Sequence, residues 1–337
     1  MMKQSIQIAF TQFFLLLACC TIGFAQPKFI KKDSAVNNLI HPYGYKANEY
    51  GAIPFFLKKG KGKQTLILIP GLGFDASVFN DFMEANKNNY TMYAITIPGY
   101  ENTKAPPMPV TDTSYGDQNW NRGVIEGLMK LIEKEKLQNP VIVGHFVQGT
   151  QLALRMAIDH PDVIRGVIIL GGPSKFIYIA NGEQKSFPLK SMISYVDKYT
   201  APTWFKTISH KSFNEGNYLP EIYSLDSLQG SKLWEQSALQ PLPVMVRYAC
   251  EFFASDITLE LDKIKCPVLI LRAAFNDLVL QAPVNNYVRP QFIDSWNEAA
   301  KKNQLITVKD IPRAASFVWK DQPEQVYVEI KNFLNKK

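Results

Sequence analysis

The chain has four histidines, His41, His145, His160 and His210, and their placement limits the chemistry open to it. From Asp277 to Lys337 there is none. His145 stands in Gly144-His145-Phe146-Val147-Gln148-Gly149, directly behind the apolar run Val141 to Val143, and His160 precedes Pro161. No Gly-x-Ser-x-Gly occurs anywhere, nor His-Glu-x-x-His, nor a paired Cys-x-x-Cys, nor Gly-x-Gly-x-x-Gly behind a strand. Metal and dinucleotide sites depend on such spacings, because ligands must converge on one ion or glycines must let backbone approach a pyrophosphate. Gly71-Leu72-Gly73 is only half of the latter fingerprint. The sequence therefore implies neither metal nor cofactor.

The elements that must position these residues follow from periodicity. Apolar, β-branched runs of strand length occur at Thr65 to Ile69, Met92 to Ile97, Val141 to Val143 and Val163 to Leu170. Between the second and third, Trp120 to Leu137 carries Val124, Leu128, Leu131 and Ile132 at helical spacing, and Gln151 to Ile158 suits a helix buried against a sheet. Strands alternating with helices imply a parallel sheet covered on both faces, hence an α/β fold. From Ser174 to about Asp262 the rhythm changes to aromatic and proline-rich segments with helical character and no clear strand, which reads as an insertion. The strand pattern resumes at Cys266 to Leu271 and Leu305 to Val308, with a helical stretch near Ile293 to Lys302 between them, and Glu324 to Leu334 closes the chain as an amphipathic helix.

Together these residues resemble the α/β-hydrolase family with a helical cap, over roughly Gly51 to Leu334. Ile69-Pro70-Gly71-Leu72-Gly73 resembles the oxyanion loop, and Ile97-Pro98-Gly99-Tyr100 the turn after the next parallel strand. Gly144 to Gly149 occupies the strand-to-helix turn of the nucleophile elbow. Leu271 to Val279, with Asn276-Asp277, is similar to the strand and loop that deliver the acid. Ala315-Ser316-Phe317, followed by Asp321-Gln322-Pro323-Glu324, is similar to the segment that delivers the histidine. In that family a Ser, Cys or Asp on the elbow attacks, a histidine moves the proton and an acid orients the histidine. The resemblance thus places Phe146 at the nucleophile position, Ser316 at the histidine position and Asp277 at the acid position. It implies oxyanion donors at the N–H groups of Leu72 and Val147, supported by the Gly71 and Gly73 backbone.

Phe146 has no lone pair with which to attack. Gln148 stands where the elbow keeps a second glycine, so the elbow is expected to have relaxed, with Val147 displaced. Ser316 is expected to hydrogen-bond Asp277 across a small cavity left by the missing imidazole. Among the cap aromatics, Trp204, Phe205 and Phe176 are the candidates for lining a pocket between core and cap.

With 337 residues and 46% hydrophobic content the chain can bury a large core. Lys3, the apolar Ile6 to Ile22 and Gly23-Phe24-Ala25 read as an export signal, with Leu16-Leu17-Ala18-Cys19 as an alternative lipid-attachment site. The expected organisation is a signal over residues 1–25, an extension over 26–50, core over 51–173, helical cap over 174–262 and core again over 263–337. Past residue 25 only Cys250 and Cys266 remain, too few for a disulfide framework; one bridge is possible, and buried free thiols are the plainer reading. The net charge of +7 is scattered, densest at Lys58 to Lys63, which reads as a solvated hairpin face; without interleaved aromatics it implies no nucleic-acid partner.

The function expected from all this is an exported hydrolase scaffold without the triad that keeps a small-molecule pocket. Two alternatives stand beside it: an enzyme using Asp277 and the oxyanion loop on a small ester or carbonyl substrate, and an envelope interaction protein. Membrane contact is expected only through a lipid on Cys19.

Overall fold

The computed structural model describes residues 51–335, apart from 102, 109–112, 181–182, 186 and 217. The export signal, Cys19, His41 and the extension to residue 50 lie outside the described residues. Among those described, no helix is long and apolar enough to cross a membrane.

A seven-stranded sheet forms the centre, in the order β1-β3-β2-β4-β5-β8-β9. Its strands are β1 (Phe56–Lys59), β2 (Gln64–Ile69), β3 (Tyr90–Ile95), β4 (Val141–His145), β5 (Gly166–Leu170), β8 (Val268–Ala273) and β9 (Ile306–Ile311). All pairings are parallel except β1 with β3. Burial explains why the strands read as continuous apolar runs. Ile67 and Ile69 join Ile95, Ile142 and Ile169 in one core, while Leu66 and Leu68 join Met92, Val143 and Ile168 in the other. Successive side chains point to opposite faces, so a sheet covered on both faces needs apolar residues at every position.

The helices α1 (Asn80–Asn86), α2 (Asn119–Lys134) and α3 (Phe146–Asp159) precede the insertion. The cap contains α4 (Leu189–Tyr195), α5 (Ala201–Thr207), α6 (His210–Gly216), α7 (Pro220–Tyr223), α8 (Ser227–Ala238) and α9 (Leu242–Phe253). After it come α10 (Asp277–Gln281), α11 (Ser295–Lys302), α12 (Val318–Asp321) and α13 (Pro323–Asn335). Helix α9 ties cap to core by burying two faces. Val244, Met245 and Tyr248 enter the main core, whereas Leu242, Val246 and Cys250 pack with Val196 and Ile208 in the cap. Cys250 and Cys266 are both free and buried.

Two expectations about strands are corrected. The cap does hold a small antiparallel hairpin, β6 (Tyr178–Ala180) with β7 (Glu183–Lys185), too short to show a period in sequence. The lysine-rich patch is not a hairpin face, because β1 pairs with β3 and not with β2. Lys58 and Lys59 lie on this edge strand and pair with Glu135 at 3.1 Å and Glu84 at 2.9 Å. Charged lysines on an edge strand deter further strand addition, which suits the position.

Candidate functional site

The elbow is intact in its backbone. Strand β4 ends at His145 in an extended conformation (φ −120°, ψ 144°), Phe146 turns to φ +53°, and α3 begins there. A positive φ on a bulky side chain costs about 1–3 kcal/mol and persists only where surroundings impose it. The surroundings are visible at two glycines. A Cβ on Gly144 would sit 2.2 Å from the Gly149 carbonyl oxygen, and one on Gly149 would sit 2.4 Å from that of Ile69. Helix and strand therefore approach as closely as the elbow requires. The expected relaxation at Gln148 is corrected: Gly149, one residue further on, provides the close contact, and the Gln148 side chain turns into the protein to donate to Asn121 Oδ1 at 3.3 Å.

The oxyanion loop lies beside the elbow. A Cβ on Gly71 would come 2.5 Å from Phe146 Cβ, and Gly73 adopts φ +81°, where a side chain would strike Ser237. Leu72 is half-buried between them. Val147 is the second residue of α3, so its N–H has no partner within its own helix.

The side chains at the expected acid and histidine positions do not meet. Ser316 is fully buried, and its Oγ has no hydrogen-bond partner among the described residues. Asp277 is exposed in the first turn of α10, where Asn276 caps the helix by accepting from the Val279 N–H at 2.9 Å. The expected Ser316–Asp277 contact is therefore absent. The Ser316 segment is instead stitched to the cap. Its N–H donates to the Ile222 carbonyl at 3.0 Å, and that of Phe317 to Tyr223 at 3.0 Å. Asp321 completes the join by accepting from the N–H groups of Ala315 and Leu225 and from Ser224 Oγ and Gln229 Nε2.

Aromatic rings occupy the interface where a reacting group would lie. Phe146 packs 5.7 Å from Tyr223 of the cap and stacks 6.0 Å from Phe292, which meets Phe275 at 5.6 Å. On the far side His145 is fully buried, its ring 4.2 Å from Phe317 and 4.7 Å from Trp319. Burial, reinforced by the charge of Lys320, holds its pKa well below the usual imidazole value, with the Ser316 backbone opposing. This neutral, ring-enclosed histidine is a packing residue beneath the elbow. Trp204, Phe205 and Phe176 pack against cap residues. Trp204 and Phe205 pack on the cap cluster, and the rings of Trp204 and Phe176 meet Phe253 at 5.6 and 4.5 Å. Tyr223, Phe292, Phe74 and Phe317 surround the site instead. Their sequence positions carried no signal, because ring contacts between distant segments leave no local period.

A second feature invisible in sequence lies behind the elbow. Glu251 is fully buried and accepts from the N–H groups of Trp120 and Asn121, each at 2.9 Å, and from Arg247 Nη2 at 2.8 Å. A carboxylate thereby caps the first turn of α2, where the helix dipole and unpaired N–H groups favour negative charge. Asn121 connects this cluster to Gln148, so the residue that replaced the elbow glycine is part of the polar join between elbow, α2 and cap helix α9.

Comparison with known proteins agrees with this geometry. Residues 66–330 match the family described as the alpha/beta hydrolase family. A hydrolase from Oleispira antarctica is similar in structure, with a TM-score of 0.60 at 17% identity, covering 87% of this chain and 98% of that one. MenH from S. aureus gives a TM-score of 0.59 at 16% identity, covering 83% and 97%. An esterase from Exiguobacterium antarcticum gives 0.57 at 14%, covering 84% and 95%. No curated protein matches in sequence. Sheet order, elbow, glycine loop and a family match over most of its length show that this chain belongs to the α/β-hydrolase family.

Proposed function

We propose that this α/β-hydrolase-fold protein binds a small molecule between core and cap without hydrolysing it through a triad. One observation carries the reading: the elbow keeps its left-handed turn while presenting Phe146, a side chain with nothing to donate. Supporting it, buried Ser316 and exposed Asp277 do not meet. A backbone that still holds an elbow and glycine loop can stabilise an oxygen-bearing ligand, but acyl transfer also needs a nucleophile and a group to move its proton. Export of the chain, by cleavage at Ala25 or lipid attachment at Cys19, belongs to the same proposal; the mass of the mature N-terminus decides it.

The catalytic part is tested with purified protein on p-nitrophenyl acetate, p-nitrophenyl butyrate and phenyl acetate. Hydrolysis at the uncatalysed rate is expected for wild type and for Phe146→Ala alike. Turnover that survives purification and changes on Phe146→Ala would refute the proposal.

A further inference from the structure

In a parallel sheet every strand begins at the same edge, so segments far apart in sequence come to lie side by side there. Strands β2, β3, β4, β5, β8 and β9 run parallel, and the residues that precede them form one row at the end of the molecule opposite the elbow. Backbone hydrogen bonds tie neighbours in this row. The Lys61 N–H donates to the Lys87 carbonyl at 3.1 Å, that of Arg165 to Pro140 at 3.1 Å and that of Val268 to Leu305 at 2.9 Å. The six residues before each strand together hold eleven lysines or arginines and four acids, an excess equal to the whole chain's net charge of +7. Charge that is scattered along the sequence is thus collected at one end by the fold. Lys61, Lys63, Lys87, Lys136, Lys265 and Lys302 are all exposed. Lys61, Lys63, Lys136 and Lys265 have no carboxylate partner among the described residues, whereas Lys87 pairs with Glu84.

Six adjacent strands about 4.8 Å apart span roughly 25 Å, whereas a charge in physiological salt is felt over about 8 Å. A small anion would therefore meet one or two of these lysines, and an extended negative surface is needed to engage the whole row. Its kind follows from the residues. Ten of the eleven basic residues are lysine, a point charge suited to diffuse attraction; the arginine fork, which grips a phosphate through two hydrogen bonds, occurs once. None of the six segments contains a Phe, Tyr or Trp on which a base could stack. Leu305, 37% exposed in the same row, offers an apolar contact to a headgroup layer. We infer that this end of the molecule lies on a bilayer containing anionic phospholipid, with the elbow and cap turned away from it.

The test measures co-sedimentation of the full chain with vesicles of phosphatidylcholine alone and of phosphatidylcholine with phosphatidylglycerol. Wild type is expected to prefer the anionic vesicles and to lose that preference as salt rises. The combined variant Lys61→Gln, Lys63→Gln, Lys136→Gln and Lys265→Gln is expected to bind them at least about a hundredfold more weakly, since each lysine near such a surface contributes about fivefold. A control, Lys190→Gln, Lys198→Gln, Lys206→Gln and Lys232→Gln, removes the same charge from exposed positions on the cap and is expected to stay within about threefold of wild type. All eight lysines are exposed, so neither variant should change the melting temperature. Equal losses in the two variants overturn the inference in favour of net charge alone. Unchanged binding by the first variant, or no preference of wild type for anionic vesicles, overturns it as well. Tighter binding of wild type to a duplex oligonucleotide than to the anionic vesicles overturns the bilayer in favour of nucleic acid.

Discussion

Replacing Phe146 by glycine and, separately, by alanine measures whether the elbow is still under strain. Both variants forfeit the same ring contacts with Tyr223 and Phe292, so those losses cancel in the comparison. What differs is the backbone. At φ +53° alanine keeps a left-handed strain of about 1–2 kcal/mol that glycine does not feel. Glycine gives back about 0.4–1 kcal/mol through the greater entropy of its unfolded chain. The glycine variant is therefore expected to be the more stable by about 1 kcal/mol. Val328, 56% exposed in α13, supplies the control. There the order should invert, with alanine ahead by about 1 kcal/mol as in any exposed helix interior. Urea unfolding followed by far-ultraviolet circular dichroism, with a shared slope for each pair, resolves differences of this size. If alanine equals or exceeds glycine at position 146, Phe146 is not held in the left-handed region and the elbow is not preserved.

His145 should make the protein acid-sensitive. Its folded pKa lies well below the unfolded value of about 6.5, so below that pH the unfolded chain binds one more proton. Stability is then complete above about pH 6.5 and falls by about 1.4 kcal/mol per pH unit on acidification, until the folded pKa is reached. Denaturation at pH 7.5, 6.5 and 5.5 should show this slope in wild type and lose it in His145→Asn; equal slopes in the two proteins would contradict a buried neutral imidazole. Glu251→Gln should cost about 3–5 kcal/mol, since it leaves Arg247 buried without its counter-charge. The double variant Arg247→Met/Glu251→Gln should recover part of that loss, and the same urea assay reads both. A single variant within about 0.5 kcal/mol of wild type would mean that the carboxylate does not hold the cap to α2.

The parallel sheet, the order of its strands with helices, the insertion between β5 and β8 and the glycine-bearing turns at Gly71 and Gly144 were legible in the sequence. Each is written in a short window: a strand buried on both faces must be apolar throughout, and a close backbone approach must be glycine. The residue types at the elbow and after Asp277 were equally legible, because they are read from the sequence alone. Phe146 cannot attack, and no histidine follows Asp277. What the windows could not hold is geometry between segments. Gln148 looked like the end of a strained turn, yet Gly149 preserves the approach and Gln148 finds Asn121 in a helix formed earlier in the chain. Ser316 and Asp277 looked like neighbours by resemblance, yet one is sealed beneath the cap and the other faces solvent. The ring set around Phe146 and the pairing of Glu221 with Asn285 join residues from distant parts of the chain. Residue identity decided which side chains stand at the elbow and after Asp277. Only the packing of cap on core decided what now occupies the site, since contact between remote segments depends on the whole fold and leaves no period in the sequence.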